Sequence, residues 1–283
     1  VSISSIITKT PLRAALTLFV ATALIVFLIT AFWPQVSSFI FPNTTLGLYD
    51  KSFWENVLVE AHGLVFDIFV LGLIFVWMDT YRQKRESIDR DLENLCDFNT
   101  LTDNIYLKKK VNIIKRLNKN KIYKIDVTDL IINKKTRIKD ISFEHSNLFG
   151  LKIMDCQVFN LKIKNSKLNS ADFSKSVIRN SEITGSYLKN VSFKSATLVG
   201  LNFMNSDLVR AKFDSANLQS ADLRGCNLER TTFTNANLKN ANLKECSNLN
   251  YNALLGAKCI DYLKADKSII EELKKRKPEM KIS

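Results

Sequence analysis

From Ile138 to Leu243 every fifth residue is apolar. The series opens with Ile138, Phe143, Leu148, Ile153 and Val158 and reaches Phe233, Leu238 and Leu243 without a polar member. Two residues before each centre the side chain is usually small, as at Ala171, Ala196, Ala216 and Ala241, or at Ser166, Ser176, Ser206 and Cys226. A period of five fits neither a helix nor a simple strand, so these positions must line the interior of some other regular winding.

Units such as Ala216-Asn217-Leu218-Gln219-Ser220 and Ala221-Asp222-Leu223-Arg224-Gly225 resemble the pentapeptide-repeat family. That resemblance implies a right-handed, four-sided β-helix, in which four units complete a coil and residues twenty apart stack as a column. The sequence agrees. Phe173, Phe193, Phe213 and Phe233 form one such column, the expected core ladder, and Leu148, Leu168, Leu188, Leu208 and Leu228 form another. One coil cannot bury its own interior, so neighbouring coils must supply both apolar contacts and backbone hydrogen bonds. At strand-like spacing the coils make a rigid peg about 25 Å long. Ile125 and Leu130 keep the five-residue spacing in a shifted phase, which predicts an imperfect first coil.

Before the repeats the pattern changes to long apolar runs. Ala14 to Trp33 carries no charge and has the length of a membrane-crossing helix. It is too long for a signal peptide and lacks a small-residue cleavage pattern, so it reads as retained. A second apolar stretch, about Val57 to Met78, is followed at once by Arg82, Lys84 and Arg85. The segment between the two runs has Lys51 as its only cation, whereas Lys9 and Arg13 precede the first run, so the positive-inside rule places both termini in the cytoplasm. Asn56, Glu60, Gly63 and Asp67 in the second run are spaced four, three and four, which puts them on one helical face. Carboxylates inside a membrane are costly and point to function. The bland alternative is that Asp67 bonds to a hydroxyl of the first run, such as Thr17, Thr22 or Thr30.

Beyond the membrane, Tyr81, Arg85, Ile88, Leu92 and Leu95 form a short coiled-coil-like seam that would allow oligomerisation. A further amphipathic stretch buries Leu107, Val111, Ile114 and Leu117 and displays a basic cluster, Lys108, Lys109, Lys110, Lys115 and Arg116, as a candidate contact with anionic lipid. Past Leu243 the repeat order slips, and 252–258 and 266–276 read as short helices closing an open β-helix end. The arrangement looks like a group of bacterial membrane proteins that carry pentapeptide repeats. The fold expected is therefore α+β: a two-helix transmembrane hairpin over 1–80, a charged helical linker over 81–124, a cytosolic right-handed quadrilateral β-helix over 125–247, and a C-terminal helical cap and tail over 248–283. The resemblance would place it in a bacterial inner membrane, with two spans and the β-helix cytoplasmic.

Composition narrows the function. The net charge of +13 is concentrated in 108–124, which holds no acid. Five cysteines without paired spacing make neither a zinc signature nor a disulfide framework, and most fall in the small interior phase of the repeat. There is no phosphate-cradling glycine loop, no metal-ligand cluster and no nucleophile beside a base, so neither an enzyme nor a cofactor is expected. Some soluble members of the family resemble DNA and bind topoisomerases, but that role needs an acidic rod, and this one has a modest basic excess. Nucleic acid is disfavoured as a partner because the basic segment lacks interleaved aromatics. The expected partners are membrane lipid, further copies of the chain and a cytosolic protein. Two functions remain: a membrane-anchored docking scaffold, or an oligomeric cation-permeable channel of a toxin-like or defence effector, gated by the rod. Large outward residues at Phe149, Met154 and Phe159, and again at Val199, Met204 and Val209, mark candidate interfaces. At least two of the first three are expected to be covered by the helices of 81–117 or by another subunit.

Overall fold

The computed structural model describes residues 11–40, 51–133 and 136–282, which divide into two units at Ser87. Each is taken by itself. In the first, α1 (Pro11–Ala31), α2 (Trp33–Ile40) and the first part of α3 (Lys51–Asp97) carry the apolar runs. The first run is helical as far as Ala31 and ends in a break. It bends by 78° between Ala31 and Trp33, because Pro34 cannot donate to the preceding turn and instead suits the first turn of a new helix. Among the described residues one helix, within Ser52–Asp97, is long and apolar enough to cross a membrane, and the bent pair passes the same test if taken together. None of the apolar stretch of α3 is buried. Lys9 lies outside the described residues, as do the side chains of Arg13 and Lys51.

The second unit begins with the end of α3 and with α4 (Asn104–Lys119). Ile88, Leu92 and Leu95 on α3 pack with Val111, Ile114 and Leu117 of α4 in the apolar core, and Arg116 reaches across to Asp91, with Nε 3.0 Å from Oδ2. The part of the heptad-like seam from Ile88 to Leu95 is thus packed within the chain, while Tyr81 and Arg85 are exposed.

The repeats follow. Strands β1 (Ile131–Ile132), β2 (Arg137–Glu144), β3 (Lys152–Ile153), β4 (Gln157–Lys164), β5 (Val177–Arg179) and β6 (Glu182–Thr184) all pair in parallel. From β2 onward the step is twenty residues: Arg137 faces Gln157, Val158 faces Ile178 and Ile163 faces Ile183. Single bridges continue it, with Thr197 opposite Asn217 and Asn217 opposite Asn237. Four units per turn make the β-helix four-sided.

Two features of each unit make the corner. The apolar centre is buried, as are Leu148, Phe173, Ile178 and Leu223. The residue two places after the centre adopts a left-handed conformation, as at Asn165 (φ 49°), Asn190 (φ 58°), Ser215 (φ 58°) and Asn240 (φ 58°). Asn pays the smallest steric penalty of the larger residues there, and Gly pays none. At Gly185 (φ 58°) there is a second requirement, because a Cβ would collide with Oδ1 of Asn165 one coil below.

Inside, Phe173, Phe193, Phe213 and Phe233 stack with ring centroids 5.1, 5.1 and 5.5 Å apart and nearly parallel planes. Phe203 meets the edges of Phe193 and Phe213. The small interior position has its own logic where it is serine. The backbone N–H of Ser146 donates to Oγ of Ser166, Ser166 to Ser186, and Ser186 to Ser206, at 3.1–3.2 Å. Oγ of Ser166 in turn donates to the Lys164 carbonyl at 2.7 Å, and Oγ of Ser206 to that of Ile183 at 3.0 Å. A buried hydroxyl is tolerated because it both accepts and donates.

The ends depart from the regular step. At the start, Ile131 faces Lys152 and Ile132 faces Ile153, an offset of twenty-one that accounts for the shifted phase of Ile125 and Leu130. Asn118 at the end of α4 meets the free edge of β2, donating to the Ser142 carbonyl and accepting from its N–H. At the far end α5 (Tyr251–Leu255) takes up two extra residues, after which the ladder resumes, Asn237 facing Cys259 and Asn242 facing Lys264. Pairing therefore persists past the slip at Leu243. Leu254, Ile260, Leu263 and, from α6 (Lys267–Arg276), Ile269 and Leu273 join the same core.

Candidate functional site

Three groups of residues stand out as chemistry not absorbed by the winding. The first lies on α3. Asn56, Glu60, Gly63 and Asp67 are all exposed, and a Cβ built on Gly63 meets nothing within 4 Å. Half-buried Trp54, Leu58, Ala61, Val65, Phe69 and Val76 form the other stripe of the helix, and on it the ring of Phe69 lies 4.4 Å from that of Phe19 in α1. Residues 67 and 69 point about 200° apart around a helix. The carboxylate face is therefore turned away from α1. Two of the hydroxyls expected to satisfy Asp67 are engaged locally: Oγ1 of Thr22 donates to the carbonyls of Leu18 and Phe19, and Oγ1 of Thr30 to that of Val26. His62 is likewise held by its own helix, with Nδ1 2.7 Å from the Leu58 carbonyl.

The second group is the basic segment, and here the structure corrects the sequence reading. Lys110 is fully buried, so it cannot touch lipid. Its ammonium donates to the carbonyls of Asn99 at 2.9 Å, Leu101 at 2.7 Å and Ile131 at 2.7 Å. It ties α4 to the turn after α3 and to the first strand of the coil. Burial lowers its pKa to about 8, because removing the ammonium from water penalises the charged form. The signal was present in the sequence: Leu107, Lys110, Ile114 and Leu117 are spaced three, four and three, which puts Lys110 on the buried stripe. Arg116 is committed to Asp91, whose hydrogen bond raises the guanidinium pKa further. Lys109 lies 5.4 Å from the centre of the Tyr106 ring and 5.7 Å from that of Phe98. Lys108 and Lys115 remain exposed. The five cations thus do not form one surface.

The third group is the outer flank of the rod. Phe149 is 46% exposed and Val199 42%, while Met154, Phe159, Met204 and Val209 are half-buried. Phe159 is covered by the rod's own cations, with the guanidinium of Arg137 5.3 Å and the ammonium of Lys139 5.7 Å from its ring centre. Cover by the preceding helices, expected for at least two of Phe149, Met154 and Phe159, does not extend to Phe149. On three sides of the rod ion pairs join neighbouring coils or neighbouring residues, among them Lys164–Glu182, Lys189–Asp207 and Arg224–Asp222.

No cluster of three metal-ligating side chains occurs among the described residues. The interior thiols are poor nucleophiles. Burial pushes Cys226 up to about 12 and Cys156 and Cys246 up to about 11, and the sulfurs of Cys226 and Cys246 donate to the carbonyls of Phe203 and Leu223.

The family model described as pentapeptide repeats matches the chain in eight copies, over 171–209, 186–225 and 211–247. Among solved structures the chain is similar to a pentapeptide repeat protein from the Arabidopsis thaliana thylakoid lumen, at 26% identity over 39% of this chain and 69% of that one, with a TM-score of 0.26. It is similar to QnrB1, a plasmid-mediated fluoroquinolone resistance protein, at 18% identity over 56% of this chain and 80% of that one, with a TM-score of 0.33. A third is HetL, a pentapeptide repeat protein involved in heterocyst differentiation regulation from the cyanobacterium Nostoc, at 18% identity, 47% and 67% coverage and a TM-score of 0.25. No curated protein matches the chain.

Proposed function

We propose, on the premise that this chain is a pentapeptide-repeat protein, that it is a non-enzymatic membrane-anchored scaffold whose β-helix docks another polypeptide along its flank. In this reading the apolar helices of 1–80 form a two-span hairpin in a bacterial inner membrane, the rod projects into the cytoplasm, and the helices of 248–283 act as its cap. The observation that carries it is the contrast between ends and flanks. Leu107, Lys110 and Leu117 of α4 are buried at one end of the rod and Leu254, Ile269 and Leu273 at the other, whereas Phe149, Tyr187 and Val199 on the flanks are exposed. A rod closed at its ends cannot lengthen by stacking, so what it offers is its sides. The test is photo-crosslinking in intact membranes from Phe149, Tyr187 and Val199, with Lys175 as a polar comparison. Adducts to a polypeptide from the apolar positions are expected, and their absence from all three would end the docking reading.

A second reading is favoured by one observation, the exposed face of Asn56, Glu60, Gly63 and Asp67 turned away from α1. A carboxylate facing lipid costs about 2.5 kcal/mol or more at mid-span, and the small Gly63 permits close helix approach. Assembly with this face inward would make a ring of Asp67 side chains that favours cations. Ion flux from liposomes carrying the full chain should then fall on Asp67→Asn, and an absence of flux in the wild type would leave the scaffold alone.

A further inference from the structure

One side of the rod differs from the other three in charge. It is formed by β2, the first half of β4 and β5, where Lys139, Phe159 and Arg179 stack in register with Arg137 beside them. Among the described residues none of these three cations makes an ion pair with an acid. Further up the same side Thr197, Val199, Asn217 and Gln219 are neutral, and the next cation is Lys239, whose ammonium lies 5.9 Å from the centre of the Tyr262 ring. Its one acid near the cations, Asp140, accepts from Asn160 in the next coil at 2.7 Å. The result is a flat sheet surface with two cations packed on an aromatic ring and a third one coil further along.

The complementary feature lies in the same unit. From Ser87 to Asp97 the end of α3 holds Arg90 as its only cation. Asp91 pairs with Arg116, while Asp89, Glu93 and Asp97 are exposed and make no ion pair among the described residues. They recur every fourth residue, so they form one stripe that starts beside the packed Leu92 and turns away from it towards Asp97. The stripe spans about 12 Å along the helix. Lys139 and Arg179, two coils apart, are separated by about 10 Å.

We infer that the stripe Asp89, Glu93 and Asp97 of one copy seats on Arg137, Lys139 and Arg179 of a second copy. The inference rests on the docking reading and names the occupant of this side as another copy of the chain. In a protein of net charge +13, an unpaired acidic stripe and an unpaired basic side of matching length each lack a partner within the chain and supply one to a neighbour. The contact joins two different patches, so it closes as a two-fold dimer where both copies of it form at once and otherwise builds a ring or a filament. Because both surfaces are solvated, attraction between them is strong only when salt is low.

The test mixes isotope-labelled and unlabelled full-length protein in detergent and applies a zero-length carbodiimide crosslinker. At about 0.1 M salt the Debye length is about 10 Å and at 1 M about 3 Å. The expected result is heavy–light peptide pairs joining Lys139 to Asp89 or Glu93 at the lower salt, reduced at least tenfold at the higher salt and also by Arg179→Glu. A melting curve for Arg179→Glu superimposable on the wild type shows that the exposed substitution leaves the fold intact. The inference is overturned if heavy–light pairs at these residues are absent, or if their yield is indifferent to salt and to Arg179→Glu. Capture of a different polypeptide in membranes, with no heavy–light pairs, would leave the docking reading in place and remove this one.

Discussion

Lys110 shows how far a single side chain can depart from what its neighbours in sequence lead one to expect. It lies in a run of lysines, yet its three hydrogen bonds go to main-chain carbonyls in three different segments. Lys110→Met would remove the ammonium from the carbonyls of Leu101 and Ile131, while that of Asn99 keeps the N–H of Ile131, and is expected to cost about 2 kcal/mol at neutral pH, read from a denaturant melt. The pH dependence has a defined sign. The folded pKa of about 8 lies below the ordinary 10.5, so between these values the unfolded lysine holds its proton while the folded one has released it, and the wild type gains stability relative to the variant as pH rises through that window. A stability difference between the two that stays flat from pH 8 to 10 would contradict the buried setting. Its place on the apolar stripe was legible in the spacing, but composition obscured it. The left-handed positions were open to the same kind of reading: Asn, Ser and Gly recur two places after the centres, and the apolar series drew the eye from them.

For the elements, regularity decided what could be read. The twenty-residue step was legible because each column repeats one side-chain type, and Phe213 is the sharpest place to probe it. Phe213→Ala opens a gap between Phe193 and Phe233, whose rings lie 5.1 and 5.5 Å from its own, and is expected to cost about 3–5 kcal/mol. Gln219→Ala, on the outside of the next unit, should change the melting temperature little. Equal effects from the two would not fit a four-sided core. The junctions were harder to read. Pairing beyond Leu243 survives a two-residue insertion because α5 takes up the slack, and no local pattern announces that. The seam on α3 has the spacing of a coiled coil, but its partner is α4, and sequence spacing alone cannot say whether the facing helix is in the same chain. Pro34, by contrast, was a visible breaker at the end of the first apolar run.

At the scale of the whole molecule, apolar length and a repeat period set the architecture, whereas the placement of charge separates the rod's sides. Of the basic residues in 108–124, Lys109, Lys110 and Arg116 make contacts within the chain, and on the rod Lys139 and Arg179 share one column with Arg137 beside it. Those could not be singled out without knowing which side of the coil each occupies and which acids lie one coil away. The proposed function requires a rod held at the membrane and exposed to the cytoplasm. The most direct measurement uses inverted inner-membrane vesicles carrying the full chain, washed with alkaline carbonate and then treated with protease. The chain is expected to stay with the membrane, and protease should release a resistant fragment that contains all of the repeats. Recovery of the chain in the carbonate wash, or a rod protected inside the vesicles, would contradict it.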